Sequence, residues 1–183
     1  IDAAILRATA DLLVEIGYSN VTMAAVADRA GTTKTALYRR WSSKAELVHE
    51  AAFPVTPSAM QAPPGDIAAD LRAMIEAARD VFTSPVVRAA LPGLITDMTA
   101  DAALSGRVSA RFTELFAAVR DRLRDAVDRG EVRAEIDPDR LVDLIGGATL
   151  LAVIQSPDTL PSARWVDDVT SILLHGVLAG PAT

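Results

Sequence analysis

Apolar residues recur at helical spacing along most of this chain, and the runs break at glycine, proline and capping residues. Residues 2 to 16 place Ile5, Leu12, Val14 and Ile16 on a helix ended by Gly17. Thr22 caps a short helix from Met23 to Ala30, which Gly31 breaks, and a second short helix runs from about Thr33 to Arg40. Ser43-Lys44-Ala45-Glu46 has the S-x-x-E form of a capping box and starts a fourth helix toward Ala52.

Pro54, Pro57, Pro63, Pro64 and Gly65 then interrupt the pattern. The chain therefore divides into an N-terminal domain over 1–52, a linker over 53–65 and a larger domain over 66–183. Asp66 caps the next helix, on which Ile67, Leu71, Met74, Ile75, Ala78 and Phe82 keep a helical period. Ser84-Pro85 starts another, expected to break or kink at Pro92-Gly93. A long helix is predicted from about Asp101 to Arg129, with Val108, Phe112, Leu115, Phe116, Val119, Leu123 and Val127 on one face and Gly130 at its end. Asp137-Pro138, a cap followed by proline at the first helical position, opens a helix to about Ile154. The last runs from near Ser162 to about Leu178. No run reads as a strand, so the fold class is all-α, with about nine helices.

Composition supports this. Half of the 183 residues are hydrophobic but only 4% are aromatic, so the cores are built from Ala, Leu, Val and Ile. No cysteine is present, which removes disulfides, thiolate nucleophiles and thiolate metal sites. Asp2, Arg7, Asp11 and Glu15 interrupt the first segment, and the uncharged stretch Leu144 to Ile154 is too short to cross a bilayer. The chain is expected to be soluble and cytoplasmic, with no membrane partner; it starts at Ile1 rather than Met, which leaves room for a short leading arm.

The net charge of −6 argues against a nucleic-acid binder until its distribution is considered. Arg29, Lys34, Arg39, Arg40 and Lys44 follow one another with no acid between them, whereas the acidic excess lies beyond residue 50. A local basic stripe on an acidic body is the footprint of one nucleic-acid-facing surface, although a solvated charge run would look the same.

The contents of the two short helices decide more. Ala27 precedes Gly31 by four residues, which suits two helices that cross closely after a sharp turn. Val26, Ala30 and Leu37 can face the shared core, with Trp41 one turn beyond. The opposite face of the second helix presents Thr33, Lys34, Thr35, Tyr38 and Arg39, groups that bond to phosphates and base edges.

The stretch from Gly17 to Leu47, and above all T-K-T-A-L-Y-R-R-W-S-S-K-A-E-L, resembles the DNA-binding domain of the TetR family of bacterial repressors. The close likeness covers about a quarter of the chain; D-R-G-E-V-R-A-E-I-D-P-D-R-L also resembles the junction before the dimerisation helices in one branch of the family. The resemblance implies a three-helix helix-turn-helix domain followed by a helical ligand-binding and dimerisation domain. It places Lys34, Thr35, Tyr38 and Arg39 at the major groove of double-stranded DNA and Thr22, Tyr38 and Lys44 on phosphates, with Thr33 and Arg40 beside them. Thr32 and Ala24 depart from the pattern, the first where the family usually has an apolar residue, the second where some members carry a base-reading arginine.

Between Asp143 and Asp158 there is no charge, and apolar residues surround the helix. One side is therefore expected to meet another subunit, unless both terminal helices lie within a monomer's own core. Leu150, Leu151 and Ile154, with Trp165, Val169, Ile172, Leu173 and Val177 on the last helix, form the candidate homodimer interface. The resemblance implies that they build a four-helix bundle with their two-fold copies. Met74, Phe82, Leu91, Leu94, Met98, Phe112 and Phe116 are candidates for an apolar pocket, where the family usually places a small-molecule effector; the same residues serve equally as plain core.

No catalytic site, metal or cofactor is expected. His49 and His175 lie in different expected domains, and the acids from Asp121 to Asp128 are interleaved with arginines. No glycine-rich phosphate loop or G-x-S-x-G occurs. The reading is a sequence-specific, homodimeric repressor released from a palindromic operator by an apolar or amphipathic effector; the alternative is a helical carrier or interaction protein without specific DNA binding.

Overall fold

Most helix starts are marked by a side chain that takes up an otherwise unpaired backbone N–H; the one that follows Phe116 is not. The N–H groups of Ala25, Ala36, Glu46, Val87 and Trp165 donate to the hydroxyls of Thr22, Thr33, Ser43, Ser84 and Ser162. Asp137 accepts from the Asp139 N–H at 2.9 Å with Pro138 at the first helical position. The computed structural model describes residues 2–54, 66–156 and 159–176. Among these, the regular elements are ten helices and no strand: α1 (Asp2–Asn20), α2 (Met23–Arg29), α3 (Lys34–Tyr38), α4 (Lys44–Ala52), α5 (Ile67–Thr83), α6 (Pro85–Ala100), α7 (Ala102–Leu115), α8 (Ala117–Asp128), α9 (Pro138–Gln155) and α10 (Ala163–His175). Most of the expected linker, and the chain beyond Gly176, lie outside the described residues.

Two expectations about helix ends are corrected. The single long helix expected across Asp101 to Arg129 is two, because Phe116 leaves the helical region at φ −94, ψ 6. Its apolar face is shared between two cores: Val108 is buried with α7, whereas Val119 and Leu123 pack against α5 and α9 residues. Conversely, α6 does not break at Pro92-Gly93 but runs from Pro85 to Ala100. Proline costs the helix one ladder hydrogen bond, and tertiary packing of α6 on α1 and α4 carries the segment through it.

The helices group into two compact units, one holding α1–α4 with α6 and α7, the other α5 with α8, α9 and α10. Packing thus places Ser84 to Leu115 with the N-terminal helices, although it follows the linker in sequence. In the first unit Ile5, Ala8, Thr9, Leu12 and Leu13 give α1 a buried face that packs on α6 and α4, while Val14 and Ile16 are exposed. In the second, Leu71, Met74 and Ile75 of α5 meet Leu123 of α8, Leu141 and Ile145 of α9 and Val166 of α10. Asp70 is buried beside this core and accepts from Arg122 Nε at 2.6 Å and again from the guanidinium terminus. No helix of the described residues is long and apolar enough to cross a membrane.

Candidate nucleic-acid interface

The α2–α3 pair is closed from within by Val26, Ala27 and Leu37, all essentially inaccessible. The turn between them is set by Gly31 at φ 65, a left-handed conformation in which a β-carbon would be strained. It lets Thr32 N–H reach the carbonyl of Ala27 at 2.9 Å and Gly31 N–H that of Asp28 at 3.3 Å, the paired closure of a Schellman motif. Thr32, half-buried, keeps this turn despite its polar side chain.

With Leu37 turned inward, α3 has one outward edge. Thr33, Lys34, Thr35, Tyr38, Arg39 and Arg40 are all exposed, Tyr38 by 56%. Thr22 and Thr33 accept capping hydrogen bonds, so each hydroxyl proton is left to donate outward. Trp41, by contrast, is buried, and its indole N–H donates to Glu50 at 2.8 Å, which makes it part of the scaffold.

The basic stripe is less uniform than its sequence. Arg29 forks onto Glu15 at 2.9 and 2.7 Å, and this hydrogen bonding holds the Glu15 carboxyl below its usual range. Arg40 pairs with Asp2. Lys44, expected on a phosphate, instead donates to the Tyr18 carbonyl at 3.1 Å, with its ammonium 4.0 Å from the Tyr18 ring centroid. Lys34 and Arg39 have no ion pair or side-chain hydrogen bond among the described residues, and within the stripe they are the two cations left for a partner.

The S-x-x-E box signals the start of α4, but nothing in the residue pattern signals its ties to α7. Glu46 accepts from both the N–H and the hydroxyl of Ser42 at 2.8 Å and from Arg107 of α7. Burial alone would raise its pKa, but these hydrogen bonds outweigh that and leave it lowered. Glu50 accepts from Arg111, again on α7, at 2.8 Å. His49 lies between them, buried on the face that Ala45 and Ala52 share; this spacing was the one sequence signal of its burial.

The candidate pocket residues divide between the units: Leu91, Leu94, Met98 and Phe112 belong to the first, Met74, Phe82 and Phe116 to the second. Met74 and Leu94 are buried core residues, and Phe112 stacks edge-on against His49 and Phe53.

The candidate dimer residues separate by exposure. On α9, Leu144, Gly147, Ala148, Leu151 and Ile154 form an exposed apolar stripe at helical spacing, with Leu150 half-buried at its edge. On α10 only Ile172 is fully outward, while Trp165, Val169 and Leu173 pack on the second unit's own core. Val177 lies outside the described residues.

Comparison with known proteins bears on the whole chain. The profile described as bacterial regulatory proteins, tetR family, matches residues 5–51, and that of the tetracyclin repressor-like C-terminal domain matches 62–172. An uncharacterised HTH-type transcriptional regulator of Mycobacterium tuberculosis is 35% identical, over 90% of this chain and 83% of its own length. A DNA-binding transcriptional repressor TetR of Mycobacteroides abscessus is 30% identical, over 94% and 93%. The crystal structure of a TetR family transcription regulator superposes with a TM-score of 0.75 at 31% identity, covering 97% of this chain and 98% of that one.

Proposed function

Because this chain belongs to the TetR family of bacterial regulators, which are non-enzymatic helix-turn-helix DNA-binding proteins, we propose that it acts as a homodimeric repressor of the promoter it binds. The observation that carries the reading is the outward edge of α3, where Lys34, Thr35, Tyr38 and Arg39 stand free opposite buried Leu37. Lys34 neutralises a phosphate, Arg39 forks onto a base edge or phosphate, and the Thr22, Thr33 and Tyr38 hydroxyls fix the register. At α4 the backbone N–H groups of the first turn take a phosphate, with the Lys44 ammonium reinforcing them if it leaves Tyr18.

The exposed α9 stripe supplies the two-fold contact, so that two recognition helices meet two half-sites of a palindrome about one DNA turn apart. A repressor is favoured by the Mycobacteroides abscessus relative, which is described as one. A small apolar or amphipathic effector, binding one spacing of the recognition helices better than the other, releases the DNA. A protein of this kind works in the cytoplasm.

Selection of bound sequences from random duplex DNA, followed by titration of the winner at several salt concentrations, tests the reading. An enriched palindrome bound by two subunits with a steep salt dependence is expected. Weak binding without enrichment overturns it in favour of a carrier or interaction protein.

A further inference from the structure

His49 is an anomaly in a well-satisfied core. It is 3% exposed, yet neither ring nitrogen has a hydrogen-bond partner. Buried polar side chains nearly always find one, and an orphan marks a place that a water, an ion or a ligand can serve. Its ring is fixed by Phe53, 5.2 Å away between centroids, and by Phe112, edge-on at 4.7 Å.

The same imidazole lines a half-open cleft of about 270 Å³ between α4 and α7, together with Glu46, Arg107, Val108, Ala110 and Arg111. An apolar cavity of roughly 150 Å³ already admits benzene, and drug-sized pockets begin at about 300 Å³, so this space suits a body of about ten non-hydrogen atoms. Val108 and Ala110 give it an apolar wall. Two guanidinium groups line it, each already paired with one carboxylate, so what they offer a ligand is spare N–H donors. Arg107 meets Glu46 through Nε and Arg111 meets Glu50 through a terminal nitrogen, which leaves each fork with further N–H donors.

We propose that this cleft binds a small monocarboxylate with a compact apolar body, its carboxylate on Arg107 and Arg111 and its inner end against His49. Burial, and then the charge of Arg111, lower the His49 pKa to about 4 against the opposing pull of Glu50, so the ring is neutral near pH 7. It carries one N–H donor and one bare nitrogen, both nearly inaccessible, which a ligand oxygen or bridging water reaches as the ring turns toward the cleft. The site lies wholly within the first unit and does not depend on the protein's being a repressor.

The chain has two histidines, so ring-nitrogen NMR resolves the question directly. Protein with 15N-labelled histidine, without DNA, is titrated through the millimolar range with benzoate, 3-methylbutanoate and hexanoate at constant ionic strength, and with benzyl alcohol as the neutral counterpart of benzoate. At least one carboxylate is expected to shift the His49 nitrogens saturably while those of His175 stay still. Benzyl alcohol should bind at least about tenfold more weakly, and Arg111→Gln should weaken the carboxylate about tenfold, with an unchanged far-UV circular dichroism spectrum and Tm reporting an intact fold. Arg107→Gln repeats the test if the first variant unfolds. The proposal is overturned if no carboxylate moves His49, if benzyl alcohol binds equally well, or if the arginine variants bind unchanged.

Discussion

The phenol of Tyr18 donates a hydrogen bond to the carboxylate of Asp97, 79 residues further along the chain, and so joins the end of α1 to the last turn of α6. The ring reaches Asp97 across Gly93, where an added β-carbon would overlap its inner carbons. Burial first, and Asp97 second, raise the phenol's pKa, so it remains a donor throughout the ordinary pH range. The Lys44 ammonium lies over the ring, which makes Tyr18 the common support of α1, α4 and α6.

Gly93→Ala should therefore destabilise the protein. In an open helix the change gains about 0.5–1 kcal/mol, but overpacking against a fixed ring costs about 1–3 kcal/mol. The clash involves the root of the Tyr18 ring, which cannot yield by a small terminal rotation. Thermal unfolding followed by circular dichroism should show a lower Tm; an unchanged or higher Tm would mean that Tyr18 is not held where α6 needs it.

Lys34→Ala and Arg39→Ala should weaken operator binding and leave thermal stability within about 0.5 kcal/mol, since both side chains are exposed and without a partner in the fold. Removing a cation that neutralises one phosphate should flatten the logarithmic salt dependence by about one unit per site, whereas removing a base-reading side chain should relax sequence preference at one position. Fluorescence anisotropy against the selected operator and a scrambled duplex, at several salt concentrations, separates the two. Arg29→Ala is the contrast: its charge is already matched by Glu15, so it should change the salt slope least.

Acid should destabilise the first unit in part through His49. The unfolded residue titrates near pH 6.5 and the folded one near 4, so the unfolded state binds more protons between these values. Stability from this group is complete above about pH 6.5, falls as the pH is lowered, and levels off below about 4, with a total of at most about 3 kcal/mol. Arg111 deepens the effect and Glu50 opposes it. Urea titrations from pH 7 to 4.5 should show a loss that His49→Phe reduces; an identical slope in the variant would assign the loss to the carboxylates, of which Glu46 is one with a lowered pKa.

Local chemistry was legible from the sequence wherever one residue acts on its own neighbours. Thr22, Ser43, Ser84, Asp137 and Ser162 could be placed as helix starts, and Gly31 and Gly130 as helix ends, because each works within about one turn. The outward edge of α3 was legible for the same reason, its faces following from Leu37. What escaped depended on partners distant in the chain. Lys44 reads as a surface cation until Tyr18 is beside it, Pro92 as a helix break until packing on α1 and α4 sustains α6, and the run to Arg129 as one helix until its apolar residues serve two cores.

Asp70 and Arg122 offer a test inside the second unit. Their side chains are only 9% and 14% exposed, and two hydrogen bonds join them. Removing one partner strands the other, so Asp70→Ala should cost about 3 kcal/mol or more, measured by urea unfolding. The double variant Asp70→Leu with Arg122→Met should recover much of that loss, because well-packed apolar side chains often replace a buried ion pair at little cost. A double variant no more stable than Asp70→Ala would show that Arg122 is needed for its further interactions.

The α9 stripe is the proposed two-fold contact through which the recognition helices would work in pairs. Leu144, Leu151 and Ile154 are each more than half exposed and follow one another along one helix face, with Gly147 and Ala148 between them. Scattered exposed leucines need no partner, but a continuous apolar stripe does, and the small residues at its centre let a second backbone approach closely. Leu151→Arg would set a charge at the middle of a two-fold contact, where it meets its own copy. Sedimentation velocity at micromolar protein should then show a shift from dimer to monomer, with far-UV circular dichroism unchanged. Operator affinity should fall by well over tenfold, because the second half-site is no longer reached at the high effective concentration that the dimer provides. A variant that remains dimeric and binds the palindrome undiminished would place the two-fold contact on another surface and leave the stripe to a different partner.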